Sequence, residues 1–394
     1  MECKRCGNKD PTYFYNGSKG IYCRKCVSFK RILLNEEIES KKYKIQNYAS
    51  EYHFDYALTK YQLEASNNTL KYLKGGYDVL LYCVCGAGKT EIVVNSISDY
   101  LSRGLKVCYA ISRREVVIEL CTRFKEIFTN AKVVSVYGDH YDELDGDLII
   151  CTTHQLFRYY QTFDLLILDE VDAYPLSGNE TLMNISIKAC KGHIVYSTAT
   201  LNKFIKKYIK IRQHKKVSLY IRPSLKPLIV PRIIFSINII NYFLLYYLLK
   251  KEMNQCIVFC SSKKITYLLY RLYKRIFNCT YVYSDLEDRD KNIMAFKNKE
   301  HQIIFSTSVL ERGITIKDVD VIILYDRKDA FEKSSLIQMC GRVGRSITNP
   351  YGDCYILTNT FSKQVNDCLK EIKEANKYYE MSILWQGNKQ LLFI

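Results

Sequence analysis

Residues 79–90 read Val-Leu-Leu-Tyr-Cys-Val-Cys-Gly-Ala-Gly-Lys-Thr, an apolar run that passes directly into a glycine-rich turn ending in lysine and threonine. A strand, such a turn and then a helix form the context of a phosphate-binding P-loop. Glycines let backbone N–H groups close on phosphate at a helix N-terminus. Cys83 stands where the full pattern has glycine, so a plain strand–helix turn is the alternative. The predicted nucleotide-binding residues of this turn are Gly86, Ala87, Gly88, Lys89 and Thr90.

A second apolar run supports the P-loop, because it ends in acids. Leu165–Leu168 is followed by Asp169 and Glu170. With Lys89 on the β/γ-phosphates of ATP and Thr90 on Mg²⁺, Asp169 at a strand end can hold the same ion. Glu170 can then activate the attacking water. The alternative, a solvated acidic turn, leaves these adjacent carboxylates without a cation.

Short apolar runs alternate with helical stretches on both sides of these motifs, which predicts parallel, doubly wound sheets in two α/β lobes. The first set of predicted strands is Val79–Cys83, Lys106–Ile111, Lys132–Val136, Asp147–Cys151, Asp164–Leu168 and His193–Ser197. The second set is Gln255–Phe259, Thr280–Tyr283, Gln302–Ser306, Val319–Leu324 and Asp353–Leu357.

Four cysteines open the chain in the order Cys3-x2-Cys6-x16-Cys23-x2-Cys26. Two CxxC knuckles at this separation are typical of a zinc ribbon, in which four thiolates surround one Zn²⁺ ion. So small a segment depends on its metal for folding energy. Four thiolates can also bind iron, so the sequence does not distinguish zinc from iron at this site. The other twelve cysteines lie in apolar runs and are interpreted as small buried hydrophobes in a reducing compartment.

Composition limits the class of protein. Apolar residues make up 48% and aromatic residues 13% of the 394 residues, which excludes a largely disordered chain. A formal net charge of +17 predicts a polyanionic partner, either nucleic acid or an anionic membrane face. The polar start has no secretory signal, which predicts a cytoplasmic protein. The apolar window 233–249 is too short for a typical spanning helix and predicts a buried strand running into a core helix.

Three further motifs complete the set. Ser197-Thr198-Ala199-Thr200 follows one predicted strand, and residues 306–313, with Glu311-Arg312-Gly313, follow another. Residues 338–345 read Gln-Met-Cys-Gly-Arg-Val-Gly-Arg and are predicted to open a helix. Arginines there would stabilise charge on the transferring phosphate, as arginine fingers do. Gln338, Arg342 and Arg345 therefore join Lys89, Asp169 and Glu170 as predicted catalytic residues, and Gly313 joins the nucleotide-binding ones.

The ordered motifs resemble those of superfamily 2 DNA and RNA helicases over about residues 52–370. With the four-cysteine module, residues 169–175 (DEVDAYP) and Thr152-Thr153-His154-Gln155-Leu156, the chain most resembles late-competence helicases of the ComFA type. The resemblance implies two RecA-like lobes with ATP in the cleft and a small N-terminal zinc ribbon. It implies that Gln62 contacts adenine. The residues that it implies along the nucleic-acid path are Arg113, Thr153, Ser261 and Thr307.

The same resemblance implies an ATP-driven translocase on single-stranded DNA that serves DNA uptake, with ATP, Mg²⁺ and Zn²⁺ as cofactors. The implied partners are a membrane-associated uptake channel and other competence proteins, at the inner face of the membrane, with an oligomer left open. A replication-restart helicase or an RNA helicase shares the motor. A non-catalytic scaffold with a vestigial P-loop and a zinc-dependent docking adaptor are the alternatives of other classes.

The predicted organisation has five parts. They are a zinc ribbon (1–30), a linker helix (31–51), an ATP-binding lobe (52–215), a C-terminal helicase lobe (216–372) and a tail (373–394). Lys203 to Lys216 form a basic stretch, interpreted equally as a phosphate track or a solvated helix face. Tyr242, Tyr246 and Tyr247 have helical spacing and are assigned to the core in preference to a base-stacking surface.

Overall fold

The computed structural model describes residues 1–36, 38, 51–251, 254–313 and 316–391. The chain divides into two compact units. The first comprises Met1–Cys83 and Gly88–Leu219, and the second comprises Val84–Ala87 and Tyr220–Ile394.

The first unit begins with a small antiparallel hairpin, β1 (Phe14–Gly17) and β2 (Gly20–Cys23). Its main sheet has seven parallel strands in the order β5-β6-β4-β7-β8-β3-β9. These strands are β3 (Asp78–Cys83), β4 (Val107–Ile111), β5 (Val133–Val136), β6 (Leu148–Thr152), β7 (Phe163–Asp169), β8 (Cys190–Thr198) and β9 (His214–Leu219). The helices of this unit are α1 (Lys60–Lys74), α2 (Lys89–Ser102), α3 (Arg114–Ile127), α4 (Glu180–Ala189) and α5 (Lys203–Ile209).

The second unit has six parallel strands in the order β10-β15-β14-β11-β13-β12. They are β10 (Arg232–Phe235), β11 (Gln255–Phe259), β12 (Cys279–Val282), β13 (Ile303–Ser306), β14 (Val319–Tyr325) and β15 (Cys354–Thr358). The helices are α6 (Asn238–Lys250), α7 (Lys263–Tyr273), α8 (Arg289–Lys297), α9 (Lys333–Cys340) and α10 (Lys363–Leu391).

The prediction of two parallel, doubly wound sheets is confirmed, and each predicted apolar run lies on one of these strands. Central strands such as β4 and β14 are buried along their whole length, so they read as continuous apolar runs without alternation. Neither set of predicted strands contained the edge strand β9. An edge strand faces solvent on one side, and mixed polarity hides this one: β9 carries Lys215 and Lys216 of the basic stretch.

The apolar window 233–249 is a strand followed by a helix, but the prediction that it is buried is wrong. β10 pairs only with β15 at the sheet edge and is largely exposed. α6 buries only Asn241, Leu245 and Leu249. Tyr247 is also outside the core, with 69% of its surface exposed, whereas Tyr242 and Tyr246 pack against it.

All sixteen cysteines are buried, which confirms the prediction for the twelve that lie in apolar runs. Residues 31–36 form an isolated bridge and a turn, and the remainder of the predicted linker helix, apart from residues 38 and 51, lies outside the described residues. Residues 373–391 belong to α10. Within the described ranges, none of the helices combines the length and apolar character needed to cross a bilayer.

Candidate functional site

The glycine-rich turn lies between β3, which ends at Cys83, and α2, which begins at Lys89. Gly86 and Gly88 have φ angles of 79° and 83°, in the left-handed region that favours glycine. Gly88 is the N-cap of α2, so the first backbone N–H groups of this helix open toward the turn. This local geometry is that of a phosphate-binding loop.

Gln62 packs against this turn. It is 3% exposed and belongs to a capping box at the start of α1, where its Oε1 accepts from the backbone N–H of Thr59 at 3.0 Å. A Cβ built on Gly88 would lie 2.3 Å from Gln62 Nε2. The side chain of Gln62, the predicted adenine contact, therefore fills the space that a Cβ at position 88 would need, so this packing requires glycine there.

Asp169 is the last residue of β7 and is held from two sides. Tyr109 donates its hydroxyl to Oδ2 at 2.7 Å, and Ser197 donates to Oδ1 at 2.6 Å. Lys89 Nζ lies 4.0 Å from Oδ1. Burial raises the pKa of Tyr109 well above its usual value, so this ring remains a neutral donor. A fixed carboxylate beside Lys89 and Thr90, at the N-terminal end of α2, has the oxygen chemistry that Mg²⁺ prefers.

Glu170 follows in an unusual conformation, with a φ of 52° and its backbone N–H donating to Asp169 Oδ1 at 2.9 Å. A non-glycine residue held there costs free energy, and such residues cluster at functional sites. Asp172, two residues further, accepts hydroxyl hydrogen bonds from Thr198 at 2.8 Å and Thr200 at 2.7 Å. The Ser197–Thr200 motif is thus bonded directly to the acidic motif.

The predicted nucleic-acid residues of the first unit lie just after the carboxyl ends of two neighbouring strands. Arg113 follows β4 and Thr153 follows β6, and these strands are neighbours with Ile111 opposite Thr152. The hydroxyls of Ser112 and Thr153 are buried and have no hydrogen-bond partner among the described residues. Buried orphan hydroxyls are rare and suit an outside acceptor such as a phosphate oxygen.

The second unit repeats this arrangement. Ser261 follows β11 and Thr307 follows β13, and these strands are also neighbours, with Phe259 opposite Ser306. The Ser261 hydroxyl is buried and likewise has no partner within the described ranges. Gly313, with a φ of 81°, lies in the turn after Thr307.

The motif at 338–345 ends a helix, so the prediction that it opens one is wrong. α9 ends at Cys340, and Gly341 is its C-cap. Gln338 lies in the last turn, and Arg342 and Arg345 lie in the irregular segment that follows. The reason is local: Gly344 has a φ of 65°, which a continuing helix excludes.

Arg222 holds this segment, and the sequence reading did not identify that role. Its side chain is 2% exposed and donates to the carbonyls of Gly341 (3.2 Å), Val343 (2.7 Å) and Gly344 (3.1 Å). Burial, with Arg345 nearby, lowers the pKa of Arg222 to about 10. Because Arg222 is one of eight basic residues between 201 and 225, the sequence has no signal that separates it from its neighbours.

The four N-terminal cysteines meet in one buried cluster, with all four Sγ atoms within 4.8 Å of one another. The Sγ atoms of Cys3 and Cys26 are 3.7 Å apart, and those of Cys6 and Cys23 are 3.8 Å apart. A tetrahedral zinc site with bonds of about 2.3 Å has sulfur–sulfur edges of about 3.8 Å, so the donor set fits Zn²⁺. A hydrogen bond from Cys26 lowers the pKa of the Cys3 thiol to about 2.

The cysteine module, residues 1–36, shares a hydrophobic core with the rest of the first unit. Asn184 of α4 donates to the Cys6 carbonyl at 3.0 Å, and Lys188 donates to the Lys4 carbonyl at 2.9 Å. Phe29 stacks on His154, one residue after Thr153, at 6.1 Å between ring centroids. Burial lowers the pKa of His154, which keeps that ring neutral. The cysteine module is therefore packed against the segment that carries Thr153.

Comparison with known families identifies the motor. The DEAD/DEAH box helicase family model matches residues 59–208, and the helicase conserved C-terminal domain model matches residues 238–346.

Solved structures agree on the fold. The chain is similar to Saccharomyces cerevisiae Dbp5 bound to RNA and ADP BeF3, with a TM-score of 0.59 and 17% identity over 81% of this chain and 91% of that one. It is also similar to the Mycobacterium smegmatis helicase Lhr bound to ssDNA and AMP-PNP, with a TM-score of 0.61 and 16% identity over 81% of this chain and 48% of that one. Both units are thus RecA-like.

Two curated relatives match far more of the chain than the two helicase models do. Competence protein ComFA of Bacillus subtilis (strain 168) is 31% identical over 95% of this chain and 85% of its own length. Competence protein ComFA of Streptococcus pneumoniae is 30% identical over 95% of this chain and 90% of its own length. With ATP-dependent helicase models over both lobes and this match along almost the whole chain, the protein belongs to the ComFA family of superfamily 2 helicases.

Proposed function

We propose that this ATP-dependent helicase is a translocase that moves single-stranded DNA during DNA uptake in natural transformation. The observation that carries the competence role is the match to two competence proteins over 95% of the chain. The two helicase models together span much less, and neither covers the cysteine module, which lies before residue 59.

Hydrolysis is assigned to the residues around Asp169. Mg²⁺, when bound, would neutralise charge on the phosphates of ATP. Thr90 and Asp169 would hold the ion, and Lys89 would bind the β/γ-phosphates. Glu170 would orient and deprotonate the attacking water, while Gln62 would hold adenine. In the second unit Gln338, Arg342, Arg345 and Gly313 are assigned to the nucleotide, with the arginines stabilising charge on the transferring phosphate.

Nucleic acid is assigned to the two pairs of residues at the carboxyl ends of the strands. Arg113 and Thr153 in the first unit, and Ser261 and Thr307 in the second, offer guanidinium and hydroxyl donors that suit a phosphate backbone. Donors of this kind do not read bases, as a motor that moves along any sequence requires. The buried orphan hydroxyls of Ser112, Thr153 and Ser261 support this assignment.

Zinc is assigned to Cys3, Cys6, Cys23 and Cys26 on the fit of their sulfur separations to a tetrahedral ion. We assign the protein to the cytoplasm, at the inner face of the membrane through an uptake channel and other competence proteins. The excess of basic residues supports an anionic partner, either nucleic acid or an anionic membrane face.

The test is ATP hydrolysis by the purified protein with single-stranded DNA, duplex DNA, single-stranded RNA or no nucleic acid, each at two salt concentrations. We expect the strongest stimulation by single-stranded DNA. Equal or stronger stimulation by RNA would assign the protein to RNA instead. No hydrolysis under any condition would favour a non-catalytic scaffold.

Lys89→Ala should abolish turnover without unfolding the protein, because the ammonium is assigned to phosphate and Asp169, 4.0 Å away, keeps its hydrogen bonds from Tyr109 and Ser197. Lys74→Ala is the matched control, since Lys74 is exposed on α1 and pairs with Asp99. Turnover of Lys89→Ala equal to that of Lys74→Ala would contradict the assignment.

A further inference from the structure

The hairpin of the cysteine module carries a row of aromatic rings and cations on its outer face. Tyr15 and Tyr22 are direct cross-strand partners, with ring centroids 5.6 Å apart. On the opposite face of the same strands, Phe14 pairs with Cys23, whose sulfur belongs to the metal cluster. The hairpin thus uses one face for the metal site and presents the other outward.

Each of three tyrosines on this module has a cation above its ring. Arg24 lies 5.7 Å from the centroid of Tyr15, Lys25 lies 5.5 Å from that of Tyr13, and Arg31 lies 4.5 Å from that of Tyr22. Tyr13 is 41% exposed and Tyr15 is 51% exposed. Lys25 also lies 4.0 Å from the Glu180 carboxylate, whereas neither Arg24 nor Arg31 has an acidic partner among the described residues.

The module as a whole is basic. Residues 1–36 contain eight Lys and Arg residues and three acidic ones. Exposed rings combined with unneutralised cations are the groups that bind single-stranded nucleic acid, since bases stack on the rings and phosphates pair with the cations. A duplex keeps its bases stacked on each other and cannot use the rings.

The position of the module favours the same ligand. Phe29 fixes it against His154 and Phe157, in the segment that begins at Thr153. The module is therefore in contact with the segment that follows Thr153, a residue assigned to the nucleic-acid path.

We propose that Tyr15 and Tyr22 on the outer face of the hairpin, together with the adjoining Tyr13, Arg24, Lys25 and Arg31, form a second binding surface for single-stranded DNA, next to the motor. It rests on the proposed function, because it extends the nucleic-acid path assigned there. Its role is to hold the strand by stacking while the motor residues bind phosphates. The metal fixes the hairpin that carries these rings.

The test compares two double variants with a matched control in the full-length, metal-loaded protein. Tyr13→Ala with Tyr15→Ala removes two rings, and Arg24→Gln with Arg31→Gln removes two cations. Lys4→Gln with Lys9→Gln is the control, because it removes the same charge from the same module at positions that cover no ring. Bound zinc is measured in every variant to verify that the cysteine cluster is intact.

The readouts are the affinity for labelled oligo(dT) and the DNA concentration that half-saturates ATP hydrolysis. We expect the tyrosine variant to weaken binding about tenfold or more, because losing even one stacked base costs about 1–3 kcal/mol. The arginine variant should weaken binding through its lost phosphate contacts. The arginine variant should also flatten the dependence of log K on log salt by about 1.4, or 0.7 for each lost phosphate contact. The lysine control should change the affinity much less.

Affinity like that of the wild type in the tyrosine variant would overturn the surface while leaving the motor assignment intact. So would an equal loss in the lysine control. A wild-type protein that neither binds single-stranded DNA nor is stimulated by it would overturn both proposals. If the variants lose binding to anionic lipid vesicles but keep DNA binding, the surface is a lipid contact and the proposal is wrong.

Discussion

At the scale of single residues, Gly88 leaves the space in which the Gln62 side chain packs against the P-loop. Gly88→Ala would force a Cβ to within 2.3 Å of Gln62 Nε2, so this buried amide would have to leave its capping box. The left-handed backbone adds a cost of about 1–2 kcal/mol. We expect loss of most nucleotide affinity, measured by titration with a fluorescent ATP analogue.

Gly76 provides the control for this experiment. It has nearly the same φ, 81°, but a Cβ built there meets nothing within 4 Å. Gly76→Ala should therefore lower stability by a similar backbone cost and leave nucleotide binding unchanged. If both variants bind nucleotide equally well, the contact with Gln62 is irrelevant to the site.

Arg222 is a positioning residue for the turn that carries Arg342 and Arg345. Arg222→Lys would keep a cation but replace a fork of donors to three carbonyls by a single ammonium. We expect ATP turnover at saturating DNA to fall about tenfold, a barrier increase of about 1.4 kcal/mol, while the KM for ATP changes little.

Arg232→Lys is the corresponding control, because Arg232 lies on the exposed strand β10 and pairs with Asp353. A purely structural role for Arg222 would lower the melting temperature without this split between kcat and KM. Equal turnover in Arg222→Lys and Arg232→Lys would contradict the positioning role.

At the scale of elements, the cysteine module is connected to two other parts of the first unit. The module contacts α4 through Asn184 and Lys188, and its Phe29 stacks on His154. Cys23→Ser should therefore lower bound zinc, the thermal stability of the first unit and the affinity for single-stranded DNA together. Zinc content, calorimetry and anisotropy measure the three effects.

Cys121→Ser is the control, since Cys121 is buried in α3 and lies outside the cluster. It should leave zinc content unchanged. Loss of zinc from Cys23→Ser with full stability and DNA affinity would mean that the module acts only as a docking adaptor for a partner.

Elements with a strong pattern could be predicted from the sequence, and elements whose polarity contrast is weak could not. β7 reads as an apolar run ending in acids, and the parallel sheet then brings its end beside the P-loop. α6 is apolar on nearly all sides, so its periodicity does not distinguish its few buried residues from its exposed ones. Arg222 depends on three backbone carbonyls about 120 residues away, and no local pattern reports such a partner.

At the scale of the whole molecule, the net charge of +17 predicts salt-dependent DNA binding. Four contacts at the strand ends and two on the cysteine module would neutralise about six phosphates and release their counterions. The expected slope of log K against log salt is then about −4. Anisotropy between low and physiological salt measures this slope. The KM for ATP in the absence of DNA should vary far less, and a slope near zero would contradict the assigned path.

The docking of the cysteine module on α4 also has a consequence for synthesis on the ribosome. Asn184 follows its partner Cys6 by 178 residues, which is about 10–35 s of translation. All four cysteines emerge within the first 26 residues, so the nascent module can capture its metal long before its packing partner exists. With zinc as the proposed metal, a cell short of zinc would therefore release the helicase with the side of α4 that contacts the module uncovered, and the shortage would act while the chain is being made.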